Sequence, residues 1–290
     1  MDKETWTAFR KAVKHYRLLI NKTEASLPLL SKYIQKLVNN REGPSYTVKT
    51  PVVYNEALDE VNADSEIKMI LVGDNPGRRE QENCRYLVGP SGKIAEKFFR
   101  ENRELGIDFR KNVLILNKTP IHTPRTTELK TLCSLGGKQA EAAVLFSQHE
   151  MAKLLYEFWE TLSHTKKKLG VAGPGKQQMC PAEGGSEIRQ PDNSRKVARL
   201  PYEARGDTSP PLIWIIGYSE MKKGGIFEAY TETLGQLCTK NPVFRDNILF
   251  FRHFSMNQFT IDLKKSSLSG ENLTESLHRI GKMYRERVLY

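Results

Sequence analysis

The sequence predicts a three-layer α/β/α fold around a central four-stranded parallel sheet, and three observations predict it. Four short apolar runs, at 69–72, 112–116, 212–216 and 247–251, have the length and composition of strands buried on both faces. Helical patterns separate the runs, which favours crossover connections and parallel pairing. Each run ends in glycine or polar residues: Gly73, Asp74 and Asn75; then Asn117; then Gly217; then His253 and Ser255. In an open α/β sheet, sites form in the crevice outside the carboxyl ends of the strands.

The elements follow in chain order. Trp6, Phe9, Val13, Tyr16 and Ile20 recur at steps of three and four, the stripe of an amphipathic helix. A second helix follows Ser26, with Leu30, Tyr33, Ile34, Leu37 and Val38 on its inner face, and 39–62 is loop-rich. The first strand leads through the turn Asp74-Asn75-Pro76-Gly77 to a helix over 92–102 with Ile94, Phe98 and Phe99 inside. The second strand ends in Asn117, Lys118, Thr119 and Pro120. A helix over 150–164 carries Met151, Leu154, Leu155, Phe158, Trp159 and Leu162 on one face, a core stripe. The segment 165–211 is rich in Gly, Pro, Lys and Arg without apolar periodicity, and reads as a flexible insertion. A last helix spans about 272–288. The expectation is one α/β domain over 1–290, with a helical N-terminal extension over 1–60 and the insertion at 165–211.

Composition narrows the class. The 290-residue chain is 39% hydrophobic and 27% charged, the balance of a soluble globular protein. No apolar run approaches the ~18 residues of a membrane span. The N-terminus carries acids and lacks the apolar block of a signal peptide, so a cytoplasmic protein is expected. A net charge of +11 fits a polyanionic partner, and equally a generally cationic surface. Cys84, Cys133, Cys180 and Cys238 are too scattered to imply a disulfide framework or a zinc site. Gly89-Pro90-Ser91-Gly92-Lys93 imitates the end of a phosphate-binding loop, but Leu87 and Ile94 stand where that motif needs Gly and Ser or Thr.

Taken singly, the strand-end residues have plain structural explanations: Asp74 and Asn75 as turn formers, Asn117 as a cap, His253 as a satisfied histidine. Parallel strands put all of them on one edge of the sheet. A carboxylate, two amides and an imidazole converging there favour a site.

Four segments then resemble the uracil-DNA glycosylase superfamily. GDNPGRRE, from Gly73 to Glu80, resembles the GEAPG-x-x-E motif of the family 4 enzymes. It also resembles the G-x-NPG motif of the mismatch-specific and single-strand-selective families. CRYLVGPSG, from Cys84 to Gly92, is similar to the family 4 segment GRPFVG-x-AG. NVLILNKTP, from Asn112 to Pro120, is similar to the strand whose terminal asparagine reads the base, and RHFS, from Arg252 to Ser255, resembles the HPS motif. The resemblance covers about a third of the chain, in the right order. It departs at Leu87, where a stacking phenylalanine is expected, and at Phe254, where the motif has proline. The close-spaced cysteines of the family 4 iron–sulfur cluster are lacking, so no cofactor is expected.

The resemblance implies a uracil-DNA glycosylase-like fold and a monofunctional, monomeric DNA glycosylase of base excision repair. Its partner would be single- or double-stranded DNA containing uracil or a related deaminated base, extruded from the stack. Asp74 would stabilise the oxocarbenium ion or orient water, Asn75 would hold that water, and His253 would donate to the departing base. Gly73, Asn117, Tyr86 and Leu87 would form the base pocket, with the Asn117 amide matching the N3–H and O4 edge. Ser255, Arg252 and Lys118 would grip phosphates, and Met256 and Phe259 would wedge into the duplex. Arg78 and Arg79 read as solvated residues. Two alternatives stand beside this: a non-catalytic DNA-binding relative, and a small-molecule α/β hydrolase, against which no G-x-S-x-G elbow is present.

Overall fold

The computed structural model describes residues 1–169 and 209–290. Its sheet is made of β1 (Met69–Gly73), β2 (Val113–Asn117), β3 (Leu212–Ile216) and β4 (Ile248–Phe251), in the order β2-β1-β3-β4. All pairs are parallel, and every strand residue is buried. Branched and aromatic side chains on both faces suit strands covered by helices on both sides. Gly73 pairs with Asn117, Val72 with Ile215, and Ile216 with Phe251, so the strand ends lie level along one edge. The protein is thus an α/β protein with an all-parallel sheet flanked by helices.

The flanking helices are α1 (Lys3–Ser26), α2 (Leu30–Asn39), α3 (Arg78–Asn83), α4 (Pro90–Glu101), α5 (Glu128–Leu169), α6 (Glu228–Lys240), α7 (Pro242–Asp246), α8 (Gln258–Ser266) and α9 (Leu273–Leu289). On one face the rings of Phe98, Phe99, Phe251 and Phe259 gather around Trp214, joining α4 and α8 to the sheet. The other helical layer is organised by α5, against which α1, α2 and α6 pack. Side-chain caps fix helix starts: Asp2 accepts from the Thr5 amide, Asn241 from the Phe244 amide, and Asn272 and Glu275 form a reciprocal capping box.

Two expectations change. The helix expected over 150–164 begins at Glu128, with a break at Gly137, whose φ is 60°. Its first part was hidden because its buried positions mix Leu129, Leu132 and Val144 with the small or polar Ala140, Ala143, Ser147 and Gln148, and the break at Gly137 interrupts the stripe. The two N-terminal helices end at Asn39, and the loop-rich stretch read over 39–62 follows, with one 3₁₀ turn at Glu56–Leu58. Of the insertion expected at 165–211, α5 occupies the start and 170–208 lies outside the described residues.

The N-terminal helix is also part of the core. Phe9, Ala12 and Tyr16 are fully buried, with the Phe9 ring against Phe158 of α5. Phe9→Ala should therefore cost about 3–5 kcal/mol in urea unfolding. Leu18→Ala, at an exposed position on the same helix, should stay within about 0.5 kcal/mol. Equal small costs would make α1 a peripheral appendage.

Candidate functional site

The strand ends open into a cavity of about 350 Å³ whose lining includes Asp74, Asn75, Leu87, Asn117 and His253. A larger cavity, about 510 Å³, runs along the outer edge of β2 past Asn112 and Ile115. None of the strand-end groups at Asp74, Asn117 and His253 reaches it, so volume alone does not choose the site. The smaller cavity is where the chemistry converges.

Asp74 is held from behind. The Lys118 ammonium lies 2.5 Å from Asp74 Oδ1 and 2.5 Å from the Ile216 carbonyl, with the Phe227 ring centroid 4.8 Å away. The lysine side chain is fully buried while Asp74 keeps 13% of its surface. Burial pushes the ammonium below its ordinary range, and the Asp74 carboxylate opposes that shift. Below the carboxylate is Gly217, at φ 77°, where a Cβ would come within 2.4 Å of Asp74 Oδ1. Gly73 likewise leaves room for Asn117, whose Oδ1 lies 2.5 Å from where a Cβ would stand. Both strand ends need glycine because the Asp74 and Asn117 side chains fill the space.

The Asn75 amide is committed to the turn. Its Nδ2 donates to Thr123 Oγ1 at 2.9 Å, and its Oδ1 accepts from Thr126 at 2.9 Å. Glu80 clamps the two walls, accepting from the Gly77 amide at 2.5 Å and the Leu87 amide at 2.7 Å. Burial raises the Glu80 carboxyl, and these amides together with Arg110 pull it back. His122 braces Pro76 from the far side. Its Nδ1 lies 2.8 Å from the Pro76 carbonyl and its Nε2 is 3.0 Å from the Tyr46 hydroxyl, so Nδ1 carries the proton.

His253 approaches from the end of β4. The Ser255 amide donates to its Nδ1 at 3.1 Å, which assigns the proton of the neutral ring to Nε2. Burial holds this imidazole below its ordinary range; Asp74 pulls it up and Lys118 pushes it down. Asn117 is buried, and its Nδ2 has no hydrogen-bond partner. An unused buried donor costs about 1–3 kcal/mol, which a ligand acceptor would recover. The site thus offers a carboxylate, a neutral imidazole donor and an open amide within one cavity.

Four expected roles are corrected. Asn75, expected to hold the water, has both ends of its amide bonded to Thr123 and Thr126. Tyr86 is fully buried, its hydroxyl 2.6 Å from that of Tyr16 and donating to the Val53 carbonyl at 2.7 Å, so it faces the N-terminal helix and no base. Lys118 is the buried partner of Asp74, and its full burial keeps it from the surface where a phosphate would lie. Phe259 is buried among Phe98, Trp214, Phe251 and Phe254, where a wedge has no reach. Of the Tyr86–Leu87 pair it is Leu87 that lines the cavity as an apolar wall, in a left-handed conformation at φ 49°. Ser255 and Arg252 stay accessible, Arg252 in an ion pair with Asp262 at 3.4 Å, and Met256 is 80% exposed. Arg78 and Arg79 are exposed, as read, and also line the cavity. Sequence reasoning missed His122, Thr123 and Thr126; their one signal was a polar cluster closely following the second strand.

Among the described residues no three His, Cys, Asp or Glu side chains gather as a metal site. Cys84, Cys133 and Cys238 are free thiols and do not fit a four-thiolate cluster. No helix among them is long and apolar enough to cross a membrane. No family model, curated protein or solved structure matches the chain.

His122 gives the turn a pH dependence. Burial lowers its pKa from 6.5 to about 4, so the folded state resists a proton that the unfolded chain accepts. Its contribution is intact above pH 6.5 and is lost as pH falls, reaching roughly 3 kcal/mol by pH 4. Urea unfolding at pH 7, 5.5 and 4 should show a flatter profile for His122→Gln than for the wild type.

Proposed function

We propose that the protein is a DNA glycosylase that hydrolyses the N-glycosidic bond of uracil or a related deaminated base. The observation that carries this reading is the convergence of Asp74, His253 and the unpartnered Asn117 amide on one cavity at the sheet edge. Heterolysis of such a bond builds positive charge on the sugar and negative charge on the base. A fixed carboxylate answers the first and a fixed donor the second, and such donors are each worth roughly 3 kcal/mol.

In this reading Asp74 turns its free oxygen to the sugar or to the attacking water. His253 donates from Nε2 to the departing base, and Asn117 supplies amide hydrogen bonds to its edge. Asn75 keeps the turn in shape, because both ends of its amide are already engaged. Leu87 offers an aliphatic wall against the base in place of an aromatic ring. Arg78, Arg79, Arg252 and the backbone at Ser255 are the candidates for phosphate contact. Met256 projects beside His253, where an apolar side chain would fill the gap left by an extruded base.

The aliphatic wall is also the one observation that favours a non-catalytic DNA-binding relative, since it removes the ring that would hold an extruded base. The test is incubation of the chain with single- and double-stranded oligonucleotides containing uracil, hypoxanthine or xanthine, followed by alkaline cleavage. Release of one base supports the glycosylase. Tight, salt-dependent binding without release supports the binding relative, and neither result sinks both.

Asp74→Asn and His253→Ala should each slow single-turnover release about 10²–10³-fold with DNA affinity nearly unchanged. Full activity in both variants would refute the assigned roles. Met256→Ala should slow release from duplex roughly tenfold, equivalent to about 1.4 kcal/mol, and spare single strands. An equal effect on both substrates would remove Met256 as the wedge.

A further inference from the structure

We propose that Lys118 is a positioning residue for the strand-end site. Its buried ammonium fixes one oxygen of Asp74, leaves the second for the cavity, and offsets the carboxylate's charge beside His253. The inference rests on the reading of Asp74 and His253 as the base-releasing pair.

Lysine is rarely buried in full, and this one does not line the cavity it serves. Two of its three protons are matched by oxygens, Asp74 Oδ1 and the Ile216 carbonyl, each at 2.5 Å. The Phe227 ring lies against the same nitrogen. Asp74 meanwhile rests on the bare Cα of Gly217, where a side chain would strike both of its oxygens. The carboxylate is therefore gripped at Oδ1 and supported below.

His253 lines the same cavity as Asp74, and its pKa is pulled up by Asp74 and pushed down by Lys118. An unaccompanied carboxylate beside an imidazole draws a proton onto the ring and captures it as an ion pair. That would neutralise the charge meant for the sugar and turn the ring away from the base. With Lys118 on Oδ1, the carboxylate already has its cation, and His253 remains a neutral donor through Nε2. The other charges facing this cluster are Glu220, which acts on Lys118 from the turn after β3, and Arg78, Arg79 and Glu80 at the cavity wall.

The test follows the His253 imidazole by NMR titration of the full chain with labelled histidine, without DNA, and separately the pH–rate profile of base release. In Lys118→Gln the His253 midpoint should rise by about one unit. The acid limb of the profile should move the same way, and release at pH 7 should fall roughly tenfold. An unmoved midpoint in that variant overturns the inference. So does a wild-type His253 half-protonated at or above pH 6.5, a measurement that needs no variant to fold. A raised midpoint with no base release by the wild type would uphold the charge arrangement and sink the glycosylase reading. Wild-type release with an unmoved midpoint would do the reverse.

Discussion

One buried ammonium ties the carboxyl ends of three strands together. Lys118 follows β2, the Asp74 it grips follows β1, and the Ile216 carbonyl it also bonds closes β3. Withdrawing such a pair from water costs several kcal/mol per ion, and only good geometry with every hydrogen bond filled offsets it. The geometry comes from the sheet. Parallel pairing puts Gly73 opposite Asn117 and Val72 opposite Ile215, so the three chain segments leave the sheet level with one another. Because both partners are shielded, removal of either would strand a charge at a cost of about 3–5 kcal/mol. The site and the stability of its edge of the sheet therefore share atoms.

The turn after β1 divides its polar residues by what each has left to offer. Asn75 spends its amide on Thr123 and Thr126 and fixes the path of the chain. Asp74 has one oxygen committed to Lys118 and lines the cavity. Adjacent positions that each matched a different glycosylase pattern thus separate into a chemical group and a brace. Glu80 extends the bracing outward. A single buried carboxylate accepts amides from Gly77 and Leu87, so the polar turn and the apolar wall move as one unit.

Much of the fold was legible because buried parallel strands announce themselves as short apolar runs with polar ends. All four runs became strands, and the convergence of Asp74, Asn117 and His253 followed from parallel order alone. Facing was not legible. At a strand end the alternation that tells inside from outside stops, so Lys118, a residue type that normally seeks water, was read as exposed. Tyr86 and Leu87 are neighbours with opposite fates. The left-handed backbone at Leu87 turns one side chain to the cavity and leaves the other under α1, and no local pattern announces that for leucine. The first part of α5 was missed for a related reason: small and polar buried residues and the break at Gly137 dilute its apolar stripe.

The loop after β4 shows how a site can be held by residues that never touch a ligand. Met256 and Asn257 are consecutive non-glycine residues in the left-handed region, at φ 51° and 56°. Such backbone persists only where its surroundings over-determine it. Here Phe254 and Phe259 sink into the cluster around Phe98 and Trp214, and the amides of Asn257 and Phe259 bond back to the carbonyls of Phe254 and His253. With both flanks anchored, the short stretch between them has nowhere to place the Met256 side chain except outward. The same anchoring presents the Ser255 amide to His253 Nδ1 and so fixes the tautomer of the ring. Phe254, which stands where the resembled motif has a rigid proline, gains its rigidity from packing, and the catalytic imidazole proposed here depends on an aromatic core for its orientation.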